Sequence, residues 1–162
     1  YQPWDHNYDR IIPDNEIERD LNRRKEQQAG NARSSWVILM HGISYVIAKR
    51  SKKVKNSGYW NFFGGSIDNL TPRQTSVKEL KEESGLYIKP DNLKYLGKDL
   101  VGNKLCFYYL YNLDDLSKIN LNWESTKFSA VSMLTLISMS ETNKLHPPTK
   151  FFVDEILPRR NL

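Results

Sequence analysis

The feature that most constrains this chain is a short helix with well-specified ends, predicted over residues 72–84. Thr71 can cap the first turn, Pro72 suits the first helical position, and Gln74 completes a capping-box pattern with Thr71. Gly85 supplies the C-terminal stop. Because the apolar side of such a helix has to be buried, we expect it to dock on a sheet.

Three carboxylates lie on one side of this predicted helix. Glu79, Glu82 and Glu83 are separated by steps of three and four residues, so they span only about 100° of the helix surface. Like-charged neighbours repel each other, and the C-terminal end of a helix disfavours negative charge. A divalent cation would reverse that cost, because Mg²⁺ and Mn²⁺ prefer oxygen ligands. The alternative is a solvated face on which Lys78 and Lys81 soften the repulsion.

Apolar stretches on both sides of the helix predict strands. Two of them, "SSWVILM" and "SYVIAKR", flank a tight turn at 41–43, and a third, "YWNFFGG", ends on a pair of glycines. Two more, "NLKYLGKDL" and "NKLCFYYLYNL", surround a turn at Gly102-Asn103. Strands mixed with helices predict a mixed α/β domain.

The last third of the chain predicts one more strand and a closing helix. Residues 127–137 have the pattern of a strand that runs into a turn. The segment "HPPTKFFVDEIL" predicts a helix that starts after Pro147-Pro148 and is stopped by Pro158.

Residues 1–34 are predicted to be an N-terminal extension, and residues 35–162 the main domain. The extension contains "PDNEIERDLNRRKEQQAG", which predicts a polar helix. Its only large apolar residues are Ile17 and Leu21, so this helix is either mostly solvated or covered by a partner.

Composition excludes several classes of protein. With 162 residues, 39% hydrophobic and 12% aromatic, the chain suits one folded domain. Cys106 is the only cysteine, which excludes an internal disulfide and a cysteine-rich zinc site. No apolar run approaches the roughly 20 residues of a membrane helix, so no membrane association is expected. A net charge of +5 favours phosphate-bearing partners, though only weakly.

The segment from Gly64 to Leu86 resembles the Nudix box. That box is Gly, five residues, Glu, seven residues and then Arg-Glu-apolar-x-Glu-Glu-x-Gly-apolar. Here the spacing is kept over 23 residues, and residues 79–86 match completely. Leu70 stands where Glu is usual, and Lys78 where Arg is usual. Since the usual pair can brace the loop, an apolar brace is expected in its place. The resemblance implies an α/β fold, a Nudix-type α/β/α sandwich around a mixed sheet, with residues 35–162 as the hydrolase domain.

Nudix hydrolases cleave the diphosphate linkage of a nucleoside diphosphate joined to another group. The resemblance implies that Glu79, Glu82, Glu83 and the backbone carbonyl of Gly64 bind Mg²⁺ or Mn²⁺, with Glu82 and Glu83 as catalytic residues. Bound metal neutralises the phosphate charge and lowers the pKa of a bound water. A glutamate outside the box often joins the metals or acts as general base, and Glu124 is the candidate here; a surface loop acid is the alternative.

Substrate contacts are expected from Arg50 at the end of a strand, from Gly65 and from Lys78. A solvated strand end is the alternative for Arg50. His146, in front of Pro147, either lines the entrance to the site or belongs to a structural turn.

Three functions are consistent with these residues. The first is a metal-dependent hydrolase of a small nucleotide, and the second is removal of a cap or diphosphate from an RNA 5′ end, which the basic pI of about 9.2 favours. The third is a non-catalytic Nudix-like nucleotide-binding module. A cytoplasmic location is expected, since a single cysteine fits a reducing compartment, and the resemblance adds a homodimer as a further expectation.

Overall fold

A computed structural model describes residues 32–160 of the chain. The polar helix predicted within the N-terminal extension lies outside the described residues. The division of the chain at residue 34 therefore stays a prediction. Within the described part of the chain, no helix is long and apolar enough to cross a membrane.

Seven strands of the described part form one sheet. They are β1 (Arg33–His41), β2 (Ser44–Arg50), β3 (Trp60–Asn61), β4 (Phe63–Ser66), β5 (Lys94–Val101), β6 (Lys104–Asn112) and β7 (Ser125–Val131). β1 is central: it pairs antiparallel with β2 and β4, and in parallel with β6. β3 and β7 pair with β2, and β5 pairs with β6. The sheet is therefore mixed, as predicted.

Helices follow the strands in the second half of the chain and between β4 and β5. They are α1 (Pro72–Ser84), α2 (Met133–Glu141), α3 (Pro147–Phe151) and α4 (Leu157–Arg160). A π-helical segment, Phe152–Ile156, joins α3 to α4 without a break. Short 3₁₀ turns lie at Pro90–Asn92 and Leu116–Lys118.

Alternate residues of β1 face two different cores. Val37 and Leu39 pack in a core that includes Leu80 of α1. Trp36 and Ile38 pack in a second core that includes Phe152 of the closing helix. Successive side chains of a strand point to opposite faces, so helices cover both faces of the sheet. The fold is the α/β/α sandwich around a mixed sheet that the sequence predicts.

For residues 127–137 the predicted strand is confirmed by β7, but the turn after it is wrong, because Met133–Glu141 form the helix α2. Ser132 caps this helix: its side chain accepts a hydrogen bond from the Thr135 N–H at 3.1 Å. Leu136 is fully buried in the core of the closing helix. The serine cap and the buried leucine favour a helix here, although the apolar run of β7 continues into these residues.

The predicted end of the closing helix at Pro158 is also wrong, because α4 runs to Arg160. In the π-helical segment the Leu157 N–H donates to the Phe152 carbonyl, five residues back. This wider turn shifts the hydrogen-bond ladder and places Pro158 at the second position of α4. A proline has no N–H to donate and does not fit a regular α-helical ladder, so the wider turn in front of it is the local adjustment that lets the helix continue.

The strand predicted over residues 59–65 is divided into β3 and β4. Between them, the Phe62 N–H leaves the sheet and donates to Thr149 Oγ1 at 3.0 Å. This bond ties the strand in front of the glycine pair to α3.

Candidate active site

Both ends of α1 have the local structure that the sequence predicts. The Thr71 side chain accepts from the Gln74 N–H, and the Gln74 side chain accepts from the Thr71 N–H, each at 3.1 Å. Gly85 adopts the left-handed conformation with φ of 73°, and its N–H donates to the Lys81 carbonyl. The helix that carries the three glutamates is therefore fixed in length by its own sequence.

Small residues hold the start of α1 close to β1. Ser35 Oγ donates to the Pro72 carbonyl at 2.8 Å and lies 2.5 Å from Ser76 Oγ. Both serines and Leu80 are fully buried. Because no large side chain separates the two elements, the glutamates one turn further along α1 reach the backbone of β4, the strand next to β1.

The two glycines of β4 leave room for different groups. A Cβ at Gly64 would collide with the Ser35 carbonyl oxygen and the Trp36 indole. A Cβ at Gly65 would instead collide with the Glu79 carboxylate. The Gly64 N–H donates to Glu83 Oε1 at 3.0 Å. Glycine at position 65 is what allows the Glu79 carboxylate to contact this strand, and glycine at position 64 lets the strand pack closely on Ser35 and Trp36.

The three glutamates of α1 differ strongly in burial. Glu83 is 6% exposed, and the Glu79 side chain is 15% exposed, whereas the Glu82 side chain is 49% exposed. Burial raises the pKa of Glu79, and the neighbouring Glu82 charge adds to this effect. Burial, Glu124 and then Glu79 raise the pKa of Glu83 well above its ordinary value. The Glu79 and Glu83 carboxyl groups are close enough to influence each other's pKa.

The loop that carries Glu124 is bonded to the C-terminal end of α1. The Asn120 N–H donates to the Ser84 carbonyl at 2.7 Å, and the Asn122 N–H donates to the Glu83 carbonyl at 3.2 Å. On the other side, the Ser51 N–H donates to the Glu124 carbonyl at 2.8 Å. The last carbonyls of α1 thus find donors in this loop, and the loop places the Glu124 charge beside Glu79 and Glu83.

Arg50 lies at the same place, at the end of β2. Burial lowers the pKa of its guanidinium, while the charges of Glu83 and Glu124 act in the opposite direction. Its Nε donates to the Lys55 carbonyl at 2.7 Å, which fixes the side chain to the loop between β2 and β3. With its amide oriented to satisfy both neighbours, Asn61 accepts from Arg50 at 2.7 Å. A positioned cation therefore adjoins the carboxylates.

Leu70 and Lys78 do not form the expected brace. Leu70 is 41% exposed and packs in neither core, so the interpretation of an apolar brace is wrong. Lys78 Nζ lies 3.7 Å from Glu79 Oε2 and 3.8 Å from Glu82 Oε2. Its exposed ammonium pairs loosely with both glutamates, which neutralises part of their charge.

Arg73 is a buried residue of this region that the sequence analysis misses. Its guanidinium donates to the Pro90 and Leu93 carbonyls at 2.9 and 2.5 Å, and it lies 4.9 Å from the centre of the Tyr109 ring. It holds the first turn of α1 against the segment before β5. An arginine in a first helical turn gives no sequence signal of burial, because most such residues are solvated.

A cavity of about 370 Å³ opens on the face of the sheet that the closing helix covers. Tyr59 and Phe151 supply aromatic walls, and Asn143 and Glu155 supply polar groups. Its remaining lining residues are Asn56, Val101, Leu145, Pro147, Lys150 and Asp154. No sequence pattern predicts this cavity, because its walls come from three separate segments of the chain, 56–59, 101 and 143–155.

The family model of the NUDIX domain matches residues 31–158, most of the chain. The chain belongs to the Nudix family. No curated protein sequence matches it.

Solved Nudix structures share the fold at low sequence identity. The MutT protein from Methanosarcina mazei Go1 is 18% identical with a TM-score of 0.63, over 80% of this chain and 94% of that one. An Ap4A hydrolase from C. elegans, in a binary complex, is 14% identical with a TM-score of 0.57, over 78% and 96%.

A bifunctional NMN adenylyltransferase/ADP ribose pyrophosphatase from Francisella tularensis, complexed with AMP and a Mn ion, is 16% identical. Its TM-score is 0.62, and the match covers 88% of this chain but only 45% of that protein. These similarities show the fold, and membership places the chain among the Nudix hydrolases.

Proposed function

We propose that this Nudix protein is a metal-dependent pyrophosphohydrolase that cleaves the diphosphate linkage of a nucleoside diphosphate joined to another group. The observation that carries the proposal is the contact of the buried Glu79 and Glu83 with the Gly64-Gly65 backbone, next to the Glu124 charge. Burial of like charges costs free energy unless a cation or a proton neutralises them.

The residues present fit a divalent cation by their chemistry. Among residues 32–160, no three His, Cys, Asp or Glu side chains are arranged to hold a metal ion. Instead, burial and neighbouring carboxylates raise the pKa of both Glu79 and Glu83, which favours a proton on this pair. A cation can take the place of that proton, since hard divalent cations prefer carboxylate oxygen ligands.

Glu79, Glu82, Glu83 and the Gly64 carbonyl would hold the metal, Mg²⁺ or Mn²⁺. When bound, the metal supplies neutralisation of the phosphate charge and a more acidic water. Glu124 is proposed as the general base, because its loop is bonded both to α1 and to Ser51, directly after β2. Glu82, the most exposed of the three box glutamates, and Glu83 are proposed as catalytic residues that orient the attacking water.

Three residues are proposed to contact the substrate. Arg50 is fixed beside Glu83 and Glu124, so its guanidinium can bind a phosphate oxygen near the scissile bond. The Gly65 backbone offers close approach to the diphosphate. Lys78, already next to Glu79 and Glu82, can contact the outer phosphate.

The cavity beside Tyr59 and Phe151 is proposed to receive the nucleoside. A volume of about 370 Å³ with aromatic walls and a few polar groups suits a nucleoside-sized ligand. Solved structures with this fold include an ADP ribose pyrophosphatase and an Ap4A hydrolase, which supports a nucleoside diphosphate derivative as the substrate class.

The test is a substrate panel with matched variants. Purified protein is assayed with nucleoside diphosphate derivatives and 5′-capped RNA, each with Mg²⁺, Mn²⁺ or chelator. We expect metal-dependent release of a nucleoside monophosphate from at least one compound. Glu82→Gln and Glu83→Gln are each expected to lose at least about 10²-fold in kcat, the scale for a displaced catalytic metal. Glu141→Gln, an exposed acid on α2, should keep full activity.

Loss of activity in Glu141→Gln, or full activity in both box variants, contradicts the proposal. Turnover of capped RNA alone would favour the RNA alternative, and tight binding of a nucleotide without turnover would favour the non-catalytic module. RNA, the homodimer and the cytoplasmic location stay predictions from the sequence.

A further inference from the structure

The cavity beside Tyr59 and Phe151 has three charged side chains in its described lining, and two of them are paired with each other. Lys150 Nζ lies 3.1 Å from Asp154 Oδ2, and it donates to the Ser140 carbonyl and hydroxyl at 2.9 and 3.0 Å. An ammonium has three N–H donors, so those of Lys150 are all used within the chain. Lys150 and Asp154 therefore hold the wall together and leave recognition of a ligand to other groups.

Glu155 is the third charged side chain of the cavity, and it is exposed. Within residues 32–160, its carboxylate makes no hydrogen bond or ion pair. The guanidinium of Arg159, one turn further along, donates to the Glu155 backbone carbonyl rather than to the carboxylate. The cavity thus contains a carboxylate with both oxygens available to a ligand.

The charges of the lining favour the base of a nucleotide over its phosphates. Lys150 compensates Asp154, which leaves the negative charge of Glu155 without a counter-charge in the described lining. A phosphate group in this cavity would be repelled, whereas an uncharged base would not. Tyr59 and Phe151 add aromatic surface, on which planar bases stack. The part of a nucleotide that suits this cavity is therefore its base.

The chemistry of a free carboxylate discriminates among the bases. A carboxylate only accepts hydrogen bonds, and its two oxygens lie side by side. Its matching partner is a base with two adjacent donors, and guanine presents its ring N1–H next to its 2-amino group. Adenine and cytosine instead place a ring nitrogen acceptor beside their amino group, and uracil has a single N–H between two carbonyls. Asn56 and Asn143, also in the lining, have amide donors suited to the guanine carbonyl oxygen.

We propose that Glu155 selects guanine in this cavity, so that the substrate class is a guanosine diphosphate joined to another group. The base lies against the aromatic walls, and its N1–H and 2-amino group donate to the two oxygens of Glu155. The inference rests on the proposed function for the placement of a nucleoside in the cavity. It adds the identity of the base and the residue that determines this specificity.

The test measures binding of GMP, IMP and AMP to the whole, metal-free protein by titration calorimetry. The three compounds share the ribose and the phosphate, so differences in affinity come from the base. We expect GMP to bind at least about tenfold more tightly than AMP, the low end of the discrimination by a bidentate contact to a base. IMP, which keeps the N1–H but lacks the 2-amino group, should lie between them.

Glu155→Gln is the decisive variant, because a side-chain amide offers one acceptor and one donor group instead of two acceptors. That pattern matches the edge of adenine and not that of guanine. We expect the variant to bind GMP about tenfold more weakly and AMP no more weakly than the wild-type protein, so that the preference is lost or reversed. Glu141→Gln, an exposed glutamate outside the described lining, is the matched control and should keep the preference.

Tyr59→Ala tests whether the ligand lies in the cavity. Because stacking tolerates any base, this variant should weaken binding of all three nucleotides by a similar factor of about ten. Equal affinities for GMP and AMP in the wild-type protein, or equal losses of both in Glu155→Gln, overturn the selection of guanine. Unchanged binding in Tyr59→Ala overturns its location.

These measurements need neither metal nor turnover. If the protein hydrolyses no compound of the panel but the preference for GMP disappears in Glu155→Gln, the proposed catalysis fails and the assignment of the cavity stands. If hydrolysis is found but GMP and AMP bind equally, the selection of guanine alone fails.

Discussion

The neighbouring residues Gly64 and Gly65 leave space for different atoms. The space that Gly64 leaves is filled by rigid groups, the Ser35 carbonyl and the Trp36 indole. The space beside Gly65 is filled by the carboxylate of Glu79, the far end of a flexible side chain. A methyl group at the first position strains the core, whereas at the second it displaces a proposed metal ligand.

We therefore predict that one alanine variant loses stability and the other loses activity. Gly64→Ala should lower the free energy of unfolding by about 1–3 kcal/mol, the usual cost of overpacking. Gly65→Ala should stay within about 0.5 kcal/mol of the wild-type protein but lose at least about tenfold in metal-dependent activity. Urea denaturation and the substrate panel measure the two quantities. Equal stability losses in both variants would contradict this division of roles.

Residue spacing predicted which glutamates lie together, but not how they differ. Helical periodicity places Glu79, Glu82 and Glu83 on one side of α1 from the sequence alone. The burial of Glu83 and the exposure of Glu82 depend on β4 and on the loop that carries Glu124, which approach from distant parts of the chain. The pattern within one segment of sequence does not show which distant segments pack against it.

At the scale of elements, a polar cluster joins α2 to the closing helix. Ser140 Oγ donates to Asp154 Oδ1 at 2.5 Å, and Lys150 Nζ lies 3.1 Å from Asp154 Oδ2. Lys150 Nζ also donates to the Ser140 carbonyl at 2.9 Å. Ser140 is buried, so its hydroxyl has no water to replace this partner.

Ser140→Ala should lower the free energy of unfolding by about 1–3 kcal/mol, because it removes a hydrogen bond to a charged group. Ser138→Ala, an exposed serine on the same helix, is the matched control and should change it by less than about 0.5 kcal/mol. Urea unfolding curves of the three proteins give the comparison. If both variants match the wild-type protein, the cluster does not hold α2 in place.

The sequence predicts α1 but not α2, because the two helices differ in the signals at their ends. α1 has a cap, a first-turn proline and a terminal glycine in its own sequence, so local chemistry is sufficient. α2 follows β7 without a glycine or proline, and its cap at Ser132 is one serine within an apolar run. Its position depends on Leu136 and Ser140, whose burial needs the closing helix. The π-helical turn before Pro158 likewise has no signal in the sequence.

On the scale of the whole molecule, the sheet separates two chemically different faces. The carboxylates lie with α1 on one face, and His146 and Lys104 lie on the other, while Arg50 interacts with both groups. β1 joins the faces, since Trp36 packs between Gly64 and His146. Protonation of His146 should therefore be visible in the stability of the whole domain.

The pKa of His146 is about 4, below its ordinary value of 6.5, because burial and the charges of Arg50 and Lys104 disfavour the imidazolium. The folded state then binds this proton less readily than the unfolded state. Its contribution to stability is complete above about pH 6.5, is lost as the pH falls towards about 4, and changes no further below that.

The stability of the wild-type protein relative to His146→Gln should thus fall by roughly 1–2 kcal/mol between pH 7 and pH 4, after allowance for screening of a partly exposed ring. The raised pKa of Glu83 acts with the opposite sign, but it is common to both proteins and cancels in the difference. Urea midpoints in chloride give this difference. A pH-independent difference would show that His146 is already balanced by charges within the chain.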